Sequence, residues 1–234
     1  MSNYVLISLK LFKGIVMIVA VINEKGGSGK TTLAINLACK LSNERDSVLF
    51  VDTDPQKSGE VFVKIRGDEG LAQAFKYISE KDKLIPLLKK NVEKFDSIVI
   101  DTGGRDSKES REALSVADIV LIPTYPSQYD LSVLNNMINL YNKAKNTDSK
   151  CFIIVNRAFT NVALKNKIAE FKELLASKEG NNIKLLDTIL YDREAVRMAT
   201  AQGLGITEMQ GKQNKAKEEF NTLFKELLKE FKNN

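Results

Sequence analysis

The sequence contains no histidine, only 2 cysteines and only 4 prolines. Each shortage removes a class of chemistry. Without histidine there is no Ser-His-Asp triad and no imidazole metal site, so proton transfer and metal ligation fall to carboxylates, hydroxyls and backbone groups. Cys39 and Cys151 lie far apart inside apolar stretches. That spacing excludes a disulfide framework and a thiolate metal site, and it fits a reduced, cytoplasmic setting. Low-complexity tracts and internal repeats are absent. With 43% hydrophobic and 28% charged residues over 234 positions, the chain reads as one globular domain rather than a disordered or fibrous protein.

A membrane span is not visible either. Tyr4 to Val16 is fairly apolar, but it is interrupted by Lys10 and Lys13; it is too short to span a bilayer and has no small-residue cleavage site. Residues 1–16 are expected to be an N-terminal extension upstream of a true start at Met17, with 17–234 as the folded domain. The net charge of +5 and the pI near 9.0 permit contact with an anionic surface. The lysines are nevertheless scattered among glutamates, as solvated helix faces also are.

From Met17 onward short apolar runs alternate with helical patterns. Ile18–Ile22, Val48–Val51, Ser97–Ile100, Ile119–Ile122, Phe152–Val155 and Lys184–Leu186 read as strands buried on both faces. Helical spacing is expected over Thr31–Leu41, Ser58–Ile65, Lys83–Glu93, Ser107–Val116, Leu131–Lys145, Val162–Ser177 and Arg193–Gln202. This alternation predicts an α/β fold with a mainly parallel twisted sheet, helices on both faces, and ligands at the carboxyl ends of the strands.

The segment after the first strand reads Asn23-Glu24-Lys25-Gly26-Gly27-Ser28-Gly29-Lys30-Thr31-Thr32. Glycines here let successive N–H groups converge on phosphate oxygens at a helix N-terminus. Gly26, Gly27, Ser28, Gly29, Lys30, Thr31 and Thr32 are therefore the candidate cofactor-binding residues, with Lys30 bridging the β- and γ-phosphates and the Thr31 hydroxyl on Mg²⁺. The expected cofactors are ATP or ADP and Mg²⁺. A later strand ends in Asp101, followed by Thr102-Gly103-Gly104, which fits a Walker B carboxylate and a glycine switch; a helix cap is the alternative.

Glu24 stands where the generic Walker pattern has glycine, and a lysine follows it. Lys-Gly-Gly-x-Gly-Lys-Thr is the deviant Walker A motif, and through it the chain resembles the ParA/MinD family of ATPases, from Met17 to the end and most densely over Ile18–Gln56. The resemblance implies a slow ATPase working as an ATP-sandwich homodimer, in which Lys25 reaches the partner's phosphates. Lys25, Lys30 and Asp54 are then the catalytic candidates. By the switch motif D-x-D-P-Q, Asp54 would orient the attacking water and Asp52 would lie near the metal with Thr31 and Asp101. Ile122-Pro123-Thr124-Tyr125-Pro126-Ser127 and Asp130 resemble a segment near the dimer interface. Asn156 and Arg157 stand where the family contacts adenine, although loop capping would use the same residues. The D-T-G-G of residues 101–104 departs from the family's usual second switch. The cysteine pairs of the iron-protein branch are missing.

Within the family the chain looks like the small plasmid-partition members. That likeness implies DNA segregation on the nucleoid, non-specific DNA binding, and a small centromere-binding partner of the ParB/ParG kind. Arg193, Arg197, Lys212, Lys215 and Lys217 are the candidate phosphate contacts. The rival reading is a membrane-cycling positioning ATPase like MinD, because Phe220, Leu223, Phe224, Leu227, Leu228 and Phe231 form an apolar stripe on a C-terminal helix. A packed last helix explains the stripe equally, and no stable membrane anchor is expected. A third reading binds nucleotide for assembly alone.

Overall fold

The β-branched runs of the sequence lie side by side in one seven-stranded sheet, parallel throughout, in the order β3-β2-β4-β1-β5-β6-β7. The strands are β1 (Met17–Val21), β2 (Val48–Asp52), β3 (Lys76–Ser79), β4 (Ser97–Asp101), β5 (Ile119–Thr124), β6 (Lys150–Val155) and β7 (Ile183–Leu185). A computed structural model describes residues 16–125, 127–144, 148–159, 163–176, 182–211 and 214–232. Apart from Val16, the N-terminal extension lies outside the described residues.

Among the described residues the helices are α1 (Lys30–Asn43), α2 (Ser58–Asp68), α3 (Leu84–Asn91), α4 (Lys108–Val116), α5 (Gln128–Lys143), α6 (Ala163–Ala176), α7 (Glu194–Ala201) and α8 (Lys215–Lys232). The pleat divides the strand side chains between two cores. Val19 and Val21 face α1, α2, α7 and α8, whereas Ile18 and Ala20 face α3, α4, α5 and α6. Cys39 and Cys151 are free and buried on opposite sides of the sheet.

Two departures from the sequence expectation bear on the site. β3, with the sequence Lys-Tyr-Ile-Ser, is only half buried at the sheet edge and so carries no apolar run. α5 begins three positions before the expected Leu131, because the Ser127 side chain accepts from the Asp130 amide and caps the helix. Most of the apolar stripe of α8 lies in the core: Phe220, Leu223, Phe224, Leu227 and Leu228 are buried with Ala216, and Phe231 is partly buried against them.

Candidate active site

The central strand β1 delivers the chain into the phosphate loop between its two neighbours. Asn23 fixes the turn, its Nδ2 donating to the Pro123 carbonyl at 2.8 Å and its Oδ1 accepting from the Lys25 amide at 2.9 Å. Gly29 caps α1 with φ +88°, and a Cβ there would lie 2.5 Å from Asn156 Nδ2, so only glycine fits. Asn156 Nδ2 donates to the Ser28 carbonyl at 2.8 Å, and Arg157 NH1 donates to the Gly27 carbonyl at 2.7 Å. In a trans peptide the C=O of one residue and the N–H of the next point oppositely. Holding these two carbonyls therefore turns the amides of Ser28 and Gly29 to the other side, as an anion cradle requires. Arg157 does this from a left-handed backbone, φ 56°, a strained conformation that its contacts to Gly27 and, at 3.7 Å, Asp192 hold in place.

Lys30 is buried and its Nζ donates to the Lys25 carbonyl at 3.1 Å. Burial lowers its pKa, against the opposing charges of Asp101 and Asp54. The first turn of α1 carries no acidic side chain, so the positive end of the helix is left for a bound anion.

Sheet register sets the carboxylates. Asp52 and Asp101 are paired across β2 and β4, and Asp101 also pairs with Val21 at the entry to the phosphate loop. Both Asp101 oxygens are buried with no donor at hydrogen-bond distance, although the Thr31 hydroxyl lies near enough to act on the carboxylate. Burial pushes its pKa up to about 8, opposed by the neighbouring Thr31 hydroxyl and Lys30 ammonium and reinforced by the Asp52 and Asp54 charges. Two orphaned carboxylate oxygens beside a hydroxyl fit a hard cation, and no cluster of three or more carboxylate or thiol ligands is found among the described residues. That sparse set suits Mg²⁺, which keeps waters and phosphate oxygens in its shell.

Asp52 differs from Asp101. Its Oδ1 accepts from the Asp54 amide, and its Oδ2 accepts from the Gly59 amide and the Tyr77 hydroxyl. Its pKa is raised by burial and lowered again by those three donors. Asp54 stands on the cavity rim with its Oδ1 accepting from the Gln56 amide at 2.9 Å. The glycines of the second switch lie against these parts: a side chain at Gly103 would meet Asp54 and Pro55, and one at Gly104 would meet Gly26.

Lys25 lies outside the phosphate cradle. Its Nζ is 2.6 Å from Oδ2 of Asp130, a buried carboxylate that also accepts from the Ser127 hydroxyl. The segment resembling a dimer-interface element is thus in contact with the lysine expected to act across the dimer.

A cavity of about 490 Å³ runs from the phosphate loop to a second end lined by Leu33, Leu190, Val196, Ile206, Ala216 and Phe220. Its far wall is tied to α8 by carboxylates that sequence reasoning missed. Glu219 accepts from the Tyr191 amide at 3.3 Å and pairs with Arg193 at 2.6 Å. Glu226 accepts from the amides of Asp187 and Thr188. In sequence these glutamates look like the solvated face of an amphipathic helix, and only the fold distinguishes them.

The candidate DNA contacts do not form one free basic face. Arg193 pairs with Glu219, Arg197 with Asp192 and Glu194, and Lys217 Nζ donates to the Met209 carbonyl. Lys215 is exposed beside Glu218 and Asp187, and Lys212 lies outside the described residues.

Among known proteins, the maintenance of carboxysome distribution protein A of Halothiobacillus neapolitanus is 26% identical over 212 residues, covering 89% of this chain and 95% of the relative. Protein ParA of Rhizobium radiobacter is 25% identical over 197 residues, covering 84% and 87%. The crystal structure of a plasmid partition protein of Borrelia burgdorferi bound to AMPPNP superposes with a TM-score of 0.70 over 92% of this chain and 99% of that one, at 22% identity. The model of the CobQ/CobB/MinD/ParA nucleotide-binding domain matches residues 19–206. With its deviant phosphate loop, the chain belongs to that family, as a positioning P-loop ATPase of the ParA/MinD kind.

Proposed function

We propose that the chain is a DNA-partitioning ATPase that dimerises on Mg-ATP, binds DNA without sequence preference in that state, and is reset by slow hydrolysis stimulated by a small ParB/ParG-like partner. The observation that carries the dimeric reading is the placement of Lys25 on Asp130. The phosphate cradle already holds one lysine, Lys30, so the second cation is free to serve another subunit's phosphates once Asp130 releases it. Thr31 and Asp101 would hold Mg²⁺, which neutralises phosphate charge when bound. Asp54 orients the attacking water, a positioning role that suits a weak base and slow turnover. Asn156 and Arg157 hold the loop's backbone and would border the base, which Leu190, Val196, Ile206 and Phe220 would enclose at the far end of the cavity. Nucleotide state serves as a conformational timer.

The DNA assignment draws on the net positive charge and on the relatives that bear ParA and plasmid-partition names. With Arg193 and Arg197 already neutralised, Lys215 is the described candidate left with its ammonium free for phosphate in the monomer, and Arg193 and Arg197 would join it only by exchanging partners. The burial of Phe220, Leu223, Phe224, Leu227 and Leu228, most of the stripe that a membrane-cycling reading would use, supports the DNA reading over the membrane alternative. No helix among the described residues is long and apolar enough to cross a membrane. The test is a parallel measurement of duplex-DNA retardation and sedimentation with anionic liposomes, each with ATP, ADP or no nucleotide. ATP-dependent DNA retention that weakens steeply with salt is expected; liposome binding without DNA binding would overturn the reading.

A further inference from the structure

The loop between β2 and α2 carries Asp54, and one buried carboxylate pins it at both ends. Asp52 is fully buried. Its Oδ1 accepts from the Asp54 amide at 3.0 Å, fixing the start of the loop. Its Oδ2 accepts from the Gly59 amide at 3.1 Å, fixing the first turn of α2. The same Oδ2 accepts from the Tyr77 hydroxyl at 3.1 Å. Tyr77 comes from β3, the edge strand that pairs with β2 through Phe50↔Tyr77, and its ring stacks on Phe50 at 6.2 Å between centroids. A Cβ on Gly59 would sit 2.9 Å from the Phe50 ring, 3.0 Å from Asp52 Oδ2 and 3.0 Å from the Tyr77 ring. The missing side chain is what lets helix, carboxylate and phenol meet.

We infer that Tyr77 is a positioning residue for hydrolysis: through Asp52 it fixes the backbone of Asp54, and so the direction from which the Asp54 carboxylate addresses water. The inference rests on the proposed role of Asp54 and deepens it. A carboxylate held by one backbone amide on each oxygen can still twist about its Cβ–Cγ bond, and the phenolic hydroxyl supplies a third contact that resists the twist. The phosphate loop shares none of these contacts, so nucleotide affinity is held separately from the geometry of the water-directing residue. A direct metal-binding role for Asp52 makes a different forecast, because loss of the Tyr77 hydroxyl would then act through the Mg²⁺ dependence of turnover.

Steady-state ATPase kinetics on the full chain separate these possibilities. Tyr77→Phe removes one hydroxyl and keeps the stacked ring. It is expected to lower kcat by about tenfold or more, the loss of one hydrogen bond to a charged group, with the KM for ATP changed less than about twofold. Gly59→Ala, which pushes the same three groups apart, should lower kcat further with the same sparing of KM. Asp54→Ala tests the underlying role, and adding Tyr77→Phe to it should cause no additional loss. If Asp54→Ala abolishes hydrolysis while Tyr77→Phe turns over at the wild-type rate, whatever its melting temperature, the inference fails and the role of Asp54 stands. If Asp54→Ala hydrolyses normally, the role of Asp54 itself fails.

Discussion

The two ends of the nucleotide cavity are built in different ways. At the phosphate end one contiguous segment from Asn23 to Thr32 supplies the cradle, and its neighbours Asn156 and Arg157 hold it through carbonyls only one residue apart. At the far end no segment is sufficient. Leu190 and Val196 flank α7's start, Ile206 follows α7, Phe220 comes from α8, and Glu219 ties α8 to Tyr191 and Arg193 between them. A cradle of backbone amides depends on local geometry that a few residue types dictate. A wall of side chains depends on helices that meet only after the chain has folded.

This contrast can be broken by substitution. The largest effect is expected for Lys30→Ala, which removes the buried ammonium of the cradle and should weaken ATP binding on the order of 100-fold or more, as isothermal titration would read. Gly29→Ala comes next. Its Cβ would meet Asn156 Nδ2 at 2.5 Å from a left-handed backbone, so affinity should fall about tenfold, with roughly 1–3 kcal/mol of lost stability in a thermal melt.

Asp101 gives a pH-dependent test of the same end. Its pKa rises from 3.8 in the reference state to about 8 in the fold. Between those values the folded chain holds a proton that the unfolded chain has lost, so the Asp101 contribution to ligand-free stability falls as pH rises through that window. Asp101→Asn should flatten this slope in melts recorded across pH and remove the enhancement of nucleotide binding by Mg²⁺. The smallest effect is expected at the far end. Glu219→Ala frees Arg193 and the Tyr191 amide from their anchor, so ADP affinity should drop about threefold while tripolyphosphate binding stays unchanged. Equal losses for the two ligands would erase the distinction between the ends.

The same contrast explains what could be read from the sequence. The phosphate loop, Asp101 and most strands were legible, because contiguous glycines and β-branched runs carry their own signal. β3 was not, because an edge strand reading Lys-Tyr-Ile-Ser has no apolar pattern, and with it Tyr77 escaped notice. The start of α5 is not legible because Ser127 and Asp130 fit an interface segment as well as they fit the helix cap that they form. The stripe of α8 was legible as amphipathic, but its partner was not, since the same pattern serves a membrane and a sheet. Asn156 and Arg157 were picked out for the base; their side chains are found on the phosphate loop, a contact between residues more than a hundred positions apart that no spacing announces.

The proposed sharing of the active site between subunits rests on Lys25, which pairs with Asp130. Light scattering of the Asp54→Ala chain with Mg-ATP, with and without the added substitution Lys25→Ala, tests it most directly. A dimer that accumulates with Asp54→Ala and is lost with Lys25→Ala is the expected result. A dimer that persists without Lys25, together with wild-type hydrolysis by the Lys25→Ala single variant, would contradict a lysine shared between subunits.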